Sequence, residues 1–281
     1  MKGRKGYPLF PYTVWKKTRC RKGEKPSVGT YAAILPMEAV ILFPFYLFVV
    51  GVFKRPSDER RFFMAPPAVW SMDNILHVMQ RKGFWSALEL SLTVTLISMA
   101  VILAVQPLLA YFLSRNQGKR FFRLAYYWFI LGIFLPFQVV MLPLVFLCKQ
   151  LGMLNVPGLI VLTIVFAFPI NIFLMTGFVK SVPRSIDEAA IMDGCGPLRT
   201  FYQIILPMMK PIVVTVAVLS TLTIWNDSTI ARMLLWREKT LPLYVTSSFA
   251  ACALMMILPL VVYLFGQKYM TKGLSAGALK D

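Results

Sequence analysis

An all-α integral membrane protein with six spanning helices is the fold class this sequence predicts, and three observations predict it. Hydrophobic residues make up 58% of the 281 positions, with a mean hydropathy of +0.66. Only 15% of residues are charged, against roughly 25% in soluble domains. The apolar residues gather in stretches close to the roughly 20 residues that cross a bilayer, and Lys and Arg collect between them. Each stretch reads as a helix, because an open sheet edge leaves backbone groups unpaired in lipid.

Taken in order, the first span is Ile34–Phe53 and the second covers 87–113. The third covers 121–147 and the fourth 159–179. The fifth runs from Pro211 to Trp225, with Ile204 as an alternative start, and the sixth covers 244–265. A basic segment, 1–30, precedes the membrane domain of 31–270, and 271–281 forms a tail. The 30 Lys and Arg residues divide 20 to 10 between alternate segments. The richer side faces the cytoplasm, which puts both termini inside and the loop 54–85, with the lone His77, outside. No cleavable signal is expected, since no small-x-small site follows the first apolar run.

The net charge of +18 raises nucleic acid as a partner, but its division among short inter-span segments speaks against that and for a lipid bilayer. Four cysteines, Cys20, Cys148, Cys195 and Cys252, form no C-x-x-C pair. There is no phosphate-binding glycine loop, nucleophile elbow or zinc-protease motif. The expectation is a chain without catalytic residues, bound metal or cofactor of its own. Glu38 and Glu89 sit near span ends, where reaching the headgroups costs little. Pro36, Pro44, Pro107, Pro136, Pro143, Pro169 and Pro259 fall within or at the edges of apolar stretches. Each interior proline removes one helix hydrogen bond and favours a kink.

The segment 187–211, DEAAIMDGCGPLRTFYQIILPMMKP, interrupts this pattern on the cytoplasmic side. Ser185 and Glu188 have the spacing of a capping box, and Asp187 with Glu188 suits the positive end of a helix dipole. Gly194 supplies a left-handed stop. Pro197 suits the first position of a second helix, which carries Phe201, Ile204 and Ile205 at helical spacing. Positions 186, 189, 190 and 193 share one face, and its two alanines let another protein approach closely. The expectation is a helix–turn–helix that docks a partner.

Glu188-Ala189-Ala190, Gly194, then Ile204, Leu206 and Pro207 resemble, position for position, the EAA motif of the membrane subunits of ABC importers. The likeness is nearest to the carbohydrate-importing branch, permeases similar to the G subunit of the maltose transporter. LPFQVVMLPL (135–144), LGMLN (151–155), WND (225–227) and GQKYMTKGLSAGALK (266–280) also look like that branch. The chain departs from it at Leu90-Ser91, where Asn-Ser is usual, and at Ala231, where a proline is common. Its stretch 227–248 is also shorter than usual.

The resemblance implies a type I ABC importer permease fold with a cytoplasmic EAA coupling helix. It implies pairing with a second homologous permease, two copies of a cytoplasmic ATPase that hold the ATP and magnesium, and sugar delivery by an extracytoplasmic binding protein in a bacterial cell membrane. Glu188, Ala189, Ala190, Asp193, Gly194, Ile204, Leu206 and Pro207 then form the ATPase-docking loop, and the tail from Lys272 reaches the ATPase dimer interface. Gln138, Asn171, Trp225 and Asn226 are candidates for the substrate pathway, although such polar groups also join helix to helix. The wording around 136–144 suggests an importer of the raffinose or multiple-sugar kind. An ion-coupled secondary carrier would carry internal repeats with paired broken helices, and no repeat is evident. A non-transporting six-span subunit would not need a docking element.

Overall fold

The computed structural model describes residues 28–55, 64–245 and 249–278, with side chains for 34–55, 64–245 and 249–268. Most of the basic leading segment and the last three residues of the tail lie outside the described residues. The chain divides into two compact units, 1–47 and 48–281. The first contains the greater part of helix α1 (Val28–Phe53), with Pro36 and Pro44 inside it. The last turns of α1, from Phe48, belong to the second unit.

That second unit continues with α2 (Asp73–Gln80), α3 (Phe84–Arg115), α4 (Arg120–Ile133), α5 (Phe137–Gln150) and α6 (Val156–Ser181). Two short helices follow, α7 (Ser185–Met192) and α8 (Pro197–Thr200). A π-helical turn, Phe201–Ile205, leads into α9 (Leu206–Met208) and α10 (Lys210–Asn226). The chain ends in α11 (Thr229–Leu234), α12 (Leu241–Tyr244) and α13 (Phe249–Ala278). Every described regular element is helical. Among the described residues, four helices are long and apolar enough to cross a membrane, or up to six if each of two bent pairs counts as one span.

One of the bent pairs corrects an expectation and the other agrees with one. The third span is not one helix: α4 and α5 meet at 106°. Pro136 stands at the break with an extended ψ of 128°. It has no N–H to continue the ladder, and it disfavours helical backbone at Leu135 before it. The fifth span keeps its expected bounds within one residue as α10, Lys210–Asn226, and the helical stretch from Pro197 meets it at a bend of 75°. Pro207 and Pro211 each occupy a first-turn position in the helix they open, where the missing N–H costs nothing. Immediately upstream, Leu206 N–H reaches back five residues to the Phe201 carbonyl, which closes the π turn. The sixth span begins at Phe249 rather than 244, because Tyr244 closes the separate helix α12. At its other end α13 runs to Ala278, so the helix continues into the stretch assigned to the tail.

Helices α3, α6 and α10 form the centre of the second unit, with α3 against α6 and α10 against α13 as its most extensive packings. One apolar cluster joins Ala110, Leu113, Ile172, Met175, Phe201 and Ile205 near the C-terminal ends of α3 and α6. A second joins Val94, Ile102, Cys148, Leu159, Ile224 and Leu234 toward their N-terminal halves. Gly266 is buried on α13, and a Cβ there would collide with Val218 on α10. Close backbone approach at a small residue is how membrane helices gain packing energy without a hydrophobic drive. Asn155 opens α6 by accepting the Gly158 N–H at 2.9 Å, which meets one of the four unpaired N–H groups of a helix start.

Candidate functional site

Helix α7 starts differently from its capping-box reading. Arg184, not Ser185, is the residue before the helix; it is already helical (φ −66°, ψ −25°), and no side chain caps this end. An N-cap needs extended backbone. Here Glu188 N–H bonds the Arg184 carbonyl and Ile186 N–H bonds that of Pro183, so helical geometry begins before Ser185.

The other end follows the expectation. Gly194 has φ +78°. Its N–H bonds the Ile191 carbonyl, and the Cys195 N–H bonds that of Ala190, both at 2.9 Å. This pair of bonds is a Schellman motif, which closes a helix through one left-handed residue. No heavy atom lies within 4 Å of where a Gly194 Cβ would stand, so the need for glycine is conformational, not steric. Pro197 occupies the first turn of α8, after an extended Gly196.

The predicted small face is divided. Ala190 is 3% exposed, and Ile186, one turn before it, packs against the core cluster at the end of α3 and α6. That side anchors α7 to its own chain and is closed to a partner. Facing outward are Glu188, Ala189 and Asp193, with Ile191 at 64% and Met192 at 87% exposure. In the following segment Ile204 and Leu206 are half-buried and Pro207 is exposed. Two large apolar side chains in the open beside carboxylates make a surface suited to a protein partner.

Two residues that sequence reasoning passed over hold this element through Asp187. Arg115, the last residue of α3, places Nη2 2.7 Å from Asp187 Oδ2 in α7. Its Nη1 donates to the carbonyls of Val182 at 3.0 Å and Val179 at 3.3 Å, at the end of α6. Tyr111 donates its hydroxyl to Asp187 Oδ1 at 2.7 Å. The available signal was local: Tyr111 and Arg115 are four apart and share a face of α3, and a cation at a helix end favours exposed carbonyls. Their partner lies 76 residues from Tyr111, which no local pattern reveals.

Deeper in the bundle, Asn171 of α6 is 1% exposed. Its Nδ2 donates to Gln106 Oε1 of α3 at 2.8 Å and to Ser220 Oγ of α10 at 3.0 Å. It therefore ties the three central helices. Asn171→Leu is expected to lower stability by about 1–2 kcal/mol, the upper range for interhelical polar contacts in membranes, read as a fall in melting temperature in detergent. Asn171 and Ser220 also line a cavity of about 290 Å³ with Thr163, Thr223 and Asp227. Asp227 accepts the N–H groups of Thr229, Ile230 and Ala231 at 3.1–3.4 Å, and so caps α11. Asp227→Ala is expected to cost about 1–2 kcal/mol; Asp227→Asn, which can still accept, should melt close to the unaltered protein.

Gln138, Trp225 and Asn226 do not line that cavity. Gln138 is exposed in the first turn of α5, and Asn226 is exposed with its Nδ2 on the Leu222 carbonyl. Trp225 is 2% exposed, packed with Val78, Phe84, Leu241 and Ala250. Its indole donates to the Met255 carbonyl of α13 at 2.8 Å. Met255 precedes Pro259 by four, and Pro259 has no N–H to occupy that carbonyl. Trp225 thus satisfies the acceptor that the proline releases.

At the other end of α3, some 48 Å away at 1.5 Å per residue, a cavity of about 590 Å³ is lined by Lys82, Glu89, Arg237, Glu238 and Lys239. Ser91, the residue after Leu90, accepts the Leu241 N–H at 2.7 Å and ties α12 to α3.

Comparison with known proteins matches residues 97–276 to the family described as binding-protein-dependent transport system inner membrane component. The multiple sugar-binding transport system permease protein MsmG of Streptococcus mutans is 35% identical over 260 residues, 86% of this chain and 92% of that protein. The melibiose/raffinose/stachyose import permease protein MelC of Bacillus subtilis is 30% identical over 253 residues, 84% and 91% of the two chains. A solved bacterial ABC transporter involved in import of the acidic polysaccharide alginate has a chain of the same fold, with a TM-score of 0.71 at 22% identity, covering 88% of this chain and all of that one. Multi-pass apolar helices, an outward-facing helical turn carrying the EAA pattern, and a match over most of its length converge: the chain belongs to the family of binding-protein-dependent transport system inner membrane components.

Proposed function

We propose that this protein is the permease subunit of an ATP-driven ABC importer that moves an oligosaccharide across a bacterial cell membrane. Both termini face the cytoplasm. A second homologous permease completes the passage, two copies of an ATPase dock beneath, and an extracytoplasmic binding protein delivers the sugar. ATP and magnesium belong to the ATPase, and this chain performs no covalent chemistry. The observation that carries the reading is the construction of α7, a rigid helix closed by Gly194 and held by its own core on one side, with Glu188, Ala189, Met192 and Asp193 turned outward. A helix so held passes on a push that a slack loop would absorb.

The sugar assignment is supported by the names of the relatives, which take multiple sugars in one case and melibiose, raffinose and stachyose in another. The cavity beside Asn171 has a mainly apolar wall in which Thr163, Ser220, Thr223 and Asp227 supply the polar groups that would meet sugar hydroxyls, and the partner permease would close it. Gln138 and Asn226 are exposed and would reach the pathway from a surface that the partner completes, whereas Trp225, buried against α13, would shape it from behind. Tagged protein drawn from its native membrane in mild detergent is expected to bring down an ABC ATPase and a second permease. Reconstituted with its binding protein, it should take up labelled raffinose in preference to a monosaccharide. Isolation of the chain alone, or uptake driven by an ion gradient without ATP, would overturn the proposal.

A further inference from the structure

The contact between α3 and α7 has the composition of a mechanical joint. Arg115 and Asp187 are 13% and 14% exposed and 2.7 Å apart. Both carboxylate oxygens of Asp187 are engaged, one by the guanidinium and one by Tyr111. The same guanidinium holds the last carbonyls of α6. The Tyr111 ring, itself buried, lies 5.4 Å from that of Phe201, where the π turn after α8 begins. Four elements converge on one ion pair, while the outward side of α7 contributes nothing to it.

A surface ion pair would contribute little. This one is largely withdrawn from solvent, and removing one partner strands the other charge. We infer that Arg115 and Asp187 are the strut of the transporter: positioning residues that make α7, the end of α6 and the whole of α3 move as one body, so that displacement at the docking helix reaches the outer end of the bundle. This rests on the docking role proposed for α7 and adds the route by which force leaves it. α3 suits that task because it stays a single helix for 32 residues even with Pro107 inside it, whereas α4–α5 and α8–α10 are bent.

The test uses the assembled transporter in proteoliposomes. Asp187→Asn is expected to lower sugar uptake per ATP hydrolysed about tenfold, within the range of coupling energies between sites, and Asp187→Glu to recover most of the loss. Spin labels at exposed Leu96 of α3 and exposed Ser185 of α7 read the joint directly. Their distance is expected to stay the same in the ATP-free and vanadate-trapped states of the otherwise unaltered protein, and to broaden in Asp187→Asn. A distance that shifts between the two states without that substitution, or an Asp187→Asn transporter with unchanged uptake per ATP, would overturn the strut. Where Asp187→Asn does not assemble, Tyr111→Phe removes one hydrogen bond and leaves the ion pair. A smaller fall in the same ratio is then expected, and none would count against the proposal. Failure of the docking reading looks different: no ATPase accompanies the unaltered chain, and the strut falls with it.

Discussion

Gly194→Val is expected to leave the protein inserted at its usual abundance while cutting transport per ATP at least tenfold. The open space around Gly194 means that valine meets no clash. Its penalty is the left-handed backbone at φ +78°, which costs an ordinary L-residue about 1–2 kcal/mol and a β-branched one more. That penalty is comparable to the two bonds the turn makes, from Gly194 to Ile191 and from Cys195 to Ala190. The favoured outcome is a turn that unwinds locally and lets the outward side of α7 swing away from a docked ATPase. The spans are remote from the change and keep their packing. Gly194→Asn separates conformation from composition, because asparagine tolerates the left-handed region; it should transport close to normally. Normal uptake by Gly194→Val at normal abundance would show that the angle of α7 is immaterial.

Trp225→Ala is expected to be the most destabilising single change, about 3–5 kcal/mol for loss of a fully buried tryptophan. Trp225→Phe is more informative. It keeps most of the apolar volume among Val78, Phe84, Leu241 and Ala250, but withdraws the donor from the Met255 carbonyl. A buried acceptor left unpaired costs about 1–3 kcal/mol. Adding Pro259→Ala restores an N–H four residues after Met255, so the double variant should regain much of what Trp225→Phe loses. Melting temperatures of the four proteins in one detergent form the cycle, and strictly additive effects would sever the link between Trp225 and the proline.

Much of the architecture was legible because membrane spans are determined by local composition. The second and fourth apolar stretches became α3 and α6 within three residues at each end, since lipid demands a minimum helical length. The Gly194 stop and the Pro197 start were equally readable, as both follow from the backbone preferences of one residue. The Ser185 cap was not. Its side chain has the right chemistry, but the turn at Pro183 and Arg184 had already become helical. The third span misled for a related reason: Pro136 looked like one of many tolerated prolines, and nothing in its neighbours told a mild kink from the 106° break that forms there.

The sequence by itself determined an all-helical membrane protein, the positions of most spans, and a glycine-closed helix pair carrying the EAA pattern, because each depends on residues within a few positions of one another. Only the tertiary structure decided which side of that helix faces its own core, that Asp187 is held by Tyr111 and Arg115, that Asn171 knots three helices, and that Trp225 serves the carbonyl freed by Pro259. These pairings join residues 30 to 76 positions apart. A polar group inside a bilayer must find a partner somewhere, and which one it finds is set by how the helices pack.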